Sequence, residues 1–194
     1  MNRVVLIDGV EGSGKTFLIN KMKKEYPNWK FIKCPAESII KRFFNSMMSK
    51  DFKMCSEYVS ALIDDIRQTF KLYDNETLVF DRGMLSTLVY QGRNRKLVNM
   101  INNKYSNLFK TLGVDFMESC IVLMCEEVEG KTREDKSDCP EKNELAKVED
   151  KEKLFRRFAY DENQPFPVYE FSWNKKKPNW IDVNDIMSEV LELL

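Results

Sequence analysis

The 194-residue sequence contains no histidine. Mechanisms that need an imidazole base or an imidazole metal ligand are therefore excluded. Its chemistry must use carboxylates, lysine and arginine, backbone amides and a metal. A charge excess is also missing, because 31 Lys and Arg balance 31 Asp and Glu. That balance argues against a general nucleic-acid or membrane binder, whose affinity rests on a one-signed electrostatic field. Long apolar runs are absent too. The longest, VVLI and CIVLMC, fall far short of the ~20 residues that span a bilayer. No charged-then-apolar leader precedes the first apolar segment, so no signal peptide is expected. The five cysteines (Cys34, Cys55, Cys120, Cys125 and Cys139) are odd in number and form no CxxC pair. They read as free thiols of a reducing cytosol rather than disulfides or a zinc site. A cytoplasmic protein is expected.

What is present describes one domain over residues 1–194, long enough to bury a sizeable core. RVVLI reads as a buried strand followed by a helix from about Lys15 to Glu25. KFIKC is a second apolar stretch, ending at Pro35. Ile39, Ile40, Phe43, Phe44, Met47 and Met48 fall on one helical stripe. Met54, Tyr58, Leu62, Ile66 and Phe70 recur every four residues and predict a longer helix. Both stripes read as core packing. TLVFD, SCIVLMC and NWIDV read as further strands, the last followed by the helical pattern IMSEVLELL. Strands alternating with helices predict an α/β fold in three layers, a parallel sheet of about five strands covered on both faces. From Glu126 to Arg157 the chain is dense in Lys, Glu and Asp and carries no strand signal. This stretch reads either as a solvated helical hairpin or as a mobile charged lid, inserted at approximately 127–150.

Gly9, Gly14, Lys15 and Thr16 fit G-x-x-x-x-G-K-[ST], with Gly12 as an extra glycine and Ser13 inside the loop. Glycines let backbone N–H groups turn inward around phosphate oxygens, and the helix that opens here adds its positive end. Lys15 is expected on the β- and γ-phosphates of ATP and the Thr16 hydroxyl on magnesium. The loop follows a predicted strand and opens a predicted helix, which is the context a P-loop NTPase fold requires.

A second motif, VFDRGMLSTLVYQG, ends the next strong strand. Asp81 at the carboxyl end of that strand can hold magnesium or its waters. It is followed by Arg82 rather than by the Glu that activates water in many hydrolysing ATPases. A cation there suits an anionic acceptor, such as a nucleoside monophosphate. NKKK at 174–177 lacks the Asp that reads guanine in GTPases. Ser86, Thr87, Tyr90 and Gln91 fall at i, i+1, i+4 and i+5, one face of a helix. That face carries two hydroxyls, a ring and an amide, a set able to hydrogen-bond a base and pack against a sugar.

Together, GVEGSGKT and DRGMLSTLVYQGRNR resemble the thymidylate kinase family, which phosphorylates dTMP with ATP. The family pattern D-R-x-x-x-S-x-x-A-Y-Q-G is met at Asp81, Arg82, Ser86, Tyr90, Gln91 and Gly92, with Val89 in place of Ala. Weaker likeness extends over most of the chain, at GVD (113–115), KVEDKEKLF and WIDV. The resemblance implies that Arg82 grips the acceptor's phosphate and that Thr87 and Gln91 read the thymine edge. It implies that Tyr90 packs on the deoxyribose and that Glu11 lies near the acceptor's 3′-hydroxyl. Family members that have Gly at position 12, as here, supply a catalytic cation from the lid. Lys131, Arg133 and Lys136 are available, and Arg133 is preferred because its planar fork suits phosphoryl oxygens. Homodimers are common in the family, and no stable nucleic-acid partner is expected.

The chain departs from the family in two places. IKCPAE keeps Pro35 but lacks the usual neighbouring Arg, for which Lys33, Lys41 or Arg42 are candidates. Where the next long helix usually carries a base-stacking Phe and, four residues on, an Arg, an ungapped count finds Glu57 and Ala61. Tyr58 is the nearest ring, and Arg67 is two turns away. Two rival readings remain open. One is a kinase for the 5′-hydroxyl of a deoxynucleoside or polynucleotide, which needs a carboxylate base where this chain has Cys34. The other is a nucleotide-binding switch without transfer activity.

Overall fold

A computed structural model describes residues 3–10, 13–49, 51–92, 94–112, 120–125, 144–161 and 168–173. Residues 120–125, 144–150 and 168–173 are described by their backbone. Five strands, β1 (Arg3–Gly9), β2 (Lys30–Lys33), β3 (Thr77–Asp81), β4 (Cys120–Cys125) and β5 (Val168–Trp173), form one sheet in the order β2-β3-β1-β4-β5. Every neighbouring pair is parallel. Among the described residues six helices connect or cover them: α1 (Lys15–Glu25), α2 (Glu37–Met48), α3 (Phe52–Leu72), α4 (Met84–Gln91), α5 (Arg95–Leu112) and α6 (Glu144–Ala159).

The two-residue period of a strand sorts the core into two layers. Val4 and Leu6 of β1, with Leu78 and Phe80 of β3, pack under α3, α4, α5 and α6. Val5 and Ile7, with Val79, pack against Leu18, Ile19 and Met22 of α1. Asp8 continues the register of Val4 and Leu6, and its side chain accordingly bonds to the start of α4. Because the strands are parallel, their carboxyl ends share one edge, where open α/β sheets bind ligands. In register, Asp81 stands between Ile7 of β1 and Lys33 of β2.

The long α3 follows its predicted period. Tyr58, Leu62, Ile66 and Phe70 are buried, each such apolar side chain contributing ~1.5–3 kcal/mol. Asp51 caps the helix by accepting the Met54 N–H at 3.0 Å. The stripe on α2 is a correction. Ile39, Phe43 and Met47 are partly buried against the core, but Phe44 and Met48 are more than half exposed and nothing on α2 is fully buried. A non-helical Phe43 bends the helix, so one straight stripe cannot stay on the core.

Two elements are not assigned from the sequence. One is α5, whose Leu97, Ile101, Tyr105, Leu108 and Phe109 are buried at helical spacing. The other is β5, where VYEFSW pairs with β4. The strand and helix expected at 179–194 lie outside the described residues. The charged segment after Glu126 is not all solvated. Its later part, from Glu144, lies in α6, where Phe155 is fully buried, and residues 126–143 lie outside the described residues. No helix among the described residues is long and apolar enough to cross a membrane.

Candidate active site

The donor side begins where β1 ends. Gly9 (φ 141°) and Gly14 (φ 94°) hold backbone conformations in which a side chain would be strained. Between them the chain turns back, and Lys15 Nζ donates to the carbonyls of Gly9 (2.9 Å) and Val10 (2.6 Å). It also lies 3.4 Å from Ser13 Oγ. Helix α1 starts with no side-chain cap and no acidic residue in its first turn. Among the described residues, neither a cap nor a first-turn acid of the helix offsets its positive end, which fits a polyphosphate. Thr16 is exposed on that first turn, next to buried Lys15. Glu11 and Gly12 lie outside the described residues.

The acceptor side is the turn after β3. Arg82 adopts φ 79°, a left-handed conformation that costs a non-glycine residue ~1 kcal/mol or more. Three consecutive hydrogen bonds hold it there. Asp81 O accepts from Cys34 N at 3.0 Å, Arg82 N donates to Ile7 O at 3.0 Å, and Gly83 N donates to Asp8 Oδ1 at 2.9 Å. The strain is thereby imposed from β1 and the end of β2, and it aims the arginine. Its guanidinium lies over the Tyr90 ring, 5.6 Å from the centroid. Asp81 is partly exposed at the carboxyl edge. Its carboxylate and the Thr16 hydroxyl are oxygen donors of the kind magnesium takes.

Asp8 is the residue of this site that the sequence reading does not single out. It is fully buried and accepts from Gly83 N, Ser86 N (3.1 Å) and the Ser86 hydroxyl. Helix α4 begins at Gly83 without a cap of its own, so Asp8 caps it from another element. Burial raises the Asp8 pKa above its usual 3.8, while the three hydrogen bonds and the Arg82 charge oppose the shift. Gly83 is needed for the close approach. A Cβ there would stand 3.0 Å from Asp8 Oδ2 and 3.2 Å from Leu6.

The four residues predicted on one helical face do lie on α4, but they divide. Ser86 is engaged with Asp8. Thr87 is buried, its hydroxyl 3.2 Å from Gly83 O and 2.9 Å from the Tyr105 hydroxyl. Tyr90 is half-buried beneath Arg82. Gln91 is buried, and its Oε1 has no hydrogen-bond partner among the described residues. A second cation also reaches Tyr90. Lys151 Nζ of α6 lies 5.0 Å from the same ring centroid, a contact with no sequence signature, since residues 90 and 151 meet only in the fold.

On α3, Tyr58 is core, 4% exposed, and burial pushes its phenol pKa up. Arg67 pairs with Asp64 on its own helix. Neither residue restores the missing Phe and Arg. Cys34 is buried, and desolvation followed by the nearby Asp8, Asp65 and Asp81 charges pushes its thiol pKa up. It is therefore neutral and a poor nucleophile or base. Arg133 lies outside the described residues.

Residues 7–164 match the thymidylate kinase family profile. A thymidylate kinase of Blochmanniella floridana is 28% identical over 121 residues, covering 54% of this chain and 57% of that protein. Among solved structures, thymidylate kinase from Candida albicans superposes with a TM-score of 0.61 at 18% identity, covering 99% of this chain and 90% of that one. A deoxyadenosine kinase from M. mycoides gives 0.58 at 20%, covering 99% and 100%. At these identities the solved structures establish the P-loop kinase fold. With the family profile spanning most of its length, the chain belongs to the thymidylate kinase family.

Proposed function

We propose that the protein transfers the γ-phosphoryl group of ATP to a deoxynucleoside monophosphate, and to dTMP in particular. The observation that carries this reading is Arg82. It is held in a strained conformation beside the start of the phosphate loop, a cation in the place where many hydrolysing ATPases carry the Glu that activates water. An oxygen of the acceptor's phosphate would bond to the γ-phosphorus as the β,γ-bridging P–O bond breaks and ADP leaves. No covalent enzyme intermediate is needed.

Each described residue then has a task. Lys15 would exchange its loop carbonyls for phosphate oxygens. The loop amides and the α1 terminus would hold the donor. Magnesium, which neutralises phosphate charge when bound, would be held by Thr16 and Asp81. Arg82 would orient the acceptor phosphate in a bidentate pair. Gln91 offers an acceptor atom to the base, and the orphaned Oε1 supports that role. The lid arginine Arg133 and the loop acid Glu11 are assigned by resemblance, toward the moving phosphoryl group and the acceptor's 3′-hydroxyl. The neutral Cys34 thiol disfavours a hydroxyl acceptor, which needs a base at that place.

The test is a coupled ADP-release assay with dTMP, dUMP, dCMP, dGMP, UMP, thymidine and a 5′-hydroxyl oligonucleotide, each product identified by mass. The M. mycoides neighbour binds dCMP and dCDP, and the C. albicans enzyme has broad substrate specificity, so the panel spans bases and acceptor types. Turnover centred on dTMP and dUMP is expected. Turnover of thymidine or the oligonucleotide alone would overturn the monophosphate reading. ATP binding without any turnover would favour the switch.

A further inference from the structure

Lys151 and Phe155 are four residues apart on α6, so they share a face. Phe155 is fully buried and meets Tyr90 edge-on, with ring centroids 6.5 Å apart and an interplanar angle of 78°. That contact fixes α6 against α4. It also places Lys151 one turn back along the same face, with Nζ 5.0 Å from the Tyr90 centroid. Arg82 Cζ stands 5.6 Å from the same centroid. Two segments distant in sequence, 82–90 and 151–155, thus bring two cations to one ring.

Like charges brought to one half-buried ring repel, each cation–π contact returns only a modest gain, and the buried Asp8 carboxyl offsets part of the Arg82 charge. None of the ion pairs among the described residues involves Lys151. A ligand carrying two negative charges would turn this repulsion into attraction. A terminal phosphate monoester is such a dianion near neutral pH, with a second pKa of about 6. A hydroxyl acceptor carries no charge, and a phosphodiester carries one.

We propose that Lys151 is the second cation of the acceptor site, acting with Arg82 on the two charges of a terminal phosphate monoester. The inference rests on the acceptor reading above and sharpens it. The site selects the dianionic end of a mononucleotide by charge count before it reads any base. Lys151 belongs to α6, so the selection is built into the docked helix.

The test uses the full chain with Lys151→Met, which keeps an unbranched apolar stem on Tyr90, and Lys151→Arg, which restores the charge. Lys151→Gln replaces the Met variant if thermal melting shows that the latter is not folded. Initial rates are measured with dTMP varied at saturating ATP and then with ATP varied. Calorimetry compares dTMP with thymidine over pH 5 to 8. Removing the charge should raise the KM for dTMP by about 10- to 100-fold and leave the KM for ATP unchanged. Arginine should restore most of the loss. The affinity ratio of dTMP to thymidine should fall by the same factor, and its rise with pH through the phosphate's second ionisation should flatten. An unchanged dTMP KM in a folded, charge-free variant would overturn the proposal and reduce Lys151 to packing on Tyr90. Equal losses for ATP and dTMP would overturn it as well. A wild-type chain that neither binds nor turns over any monophosphate would sink the acceptor reading itself, and Lys151's role with it.

Discussion

The phosphate loop and the acceptor turn hold their charges in opposite ways. Lys15 hydrogen-bonds to acceptors two, five and six residues away in sequence. The loop closes on its own cation and stands ready for ligand exchange. The acceptor turn is assembled from afar. Asp8 bonds to residues 75 and 78 positions later, Arg82 is strained, and Tyr90 carries cations from two elements. The donor site is thus a local motif, whereas the acceptor site is a product of tertiary packing. Damage to the first should act on chemistry alone, and damage to the second should trade binding against stability.

The largest effect is expected at the donor. Lys15→Met should lower kcat by about 10²–10³-fold, the scale of one lost charge-stabilising donor, with dTMP affinity by calorimetry unchanged. A kcat within threefold of wild type would mean that this loop does not hold the transferring phosphate. On the acceptor side, Arg82→Gly should lower kcat/KM for the monophosphate by about 10-fold to 100-fold. The same change should hold or raise Tm, because glycine relieves the left-handed strain of ~1 kcal/mol. A large fall in Tm would show that the three pins do not impose the conformation and that the guanidinium itself holds the turn.

The smallest effect is expected at Asp8. Its folded pKa is raised above 3.8 by burial. Its protonated form therefore favours the fold, a contribution fully present below the unfolded value and lost as pH rises through the folded one. Asp8→Asn keeps the Oδ1 acceptor and never ionises. Its stability relative to wild type should improve as pH rises from 4 to 8, read as urea midpoints. A pH-independent difference would show that the α4 cap and Arg82 offset burial completely.

The local grammar carried much of the reading. The bounds of α1, the strands at β1 and β3 and the period of α3 follow from patterns shorter than a helix. The two unassigned elements failed for different reasons. The period of α5 is visible at Leu97, Ile101 and Tyr105 but stands among polar Asn and Lys residues that mask it. β5 alternates polar Glu170 and Ser172 with aromatics, and NWIDV competes for the same place in the order. The α2 stripe was legible but misleading, because a bend at Phe43 decides how much of it meets the core.

By itself the sequence determined the chemistry available to this protein. It provides no imidazole, a glycine loop closing on Lys15 and Thr16, and an Asp-Arg pair ending a strand. These follow from residue type and short spacing, which need no partner. The tertiary structure alone decided what those groups face. It turned Ser86 from the predicted ligand face toward Asp8, joined Thr87 to Tyr105, strained Arg82 and set Lys151 beside it. The reason is physical. A buried polar atom must find its partner in three dimensions, and no period along the chain records a bond that spans 78 residues.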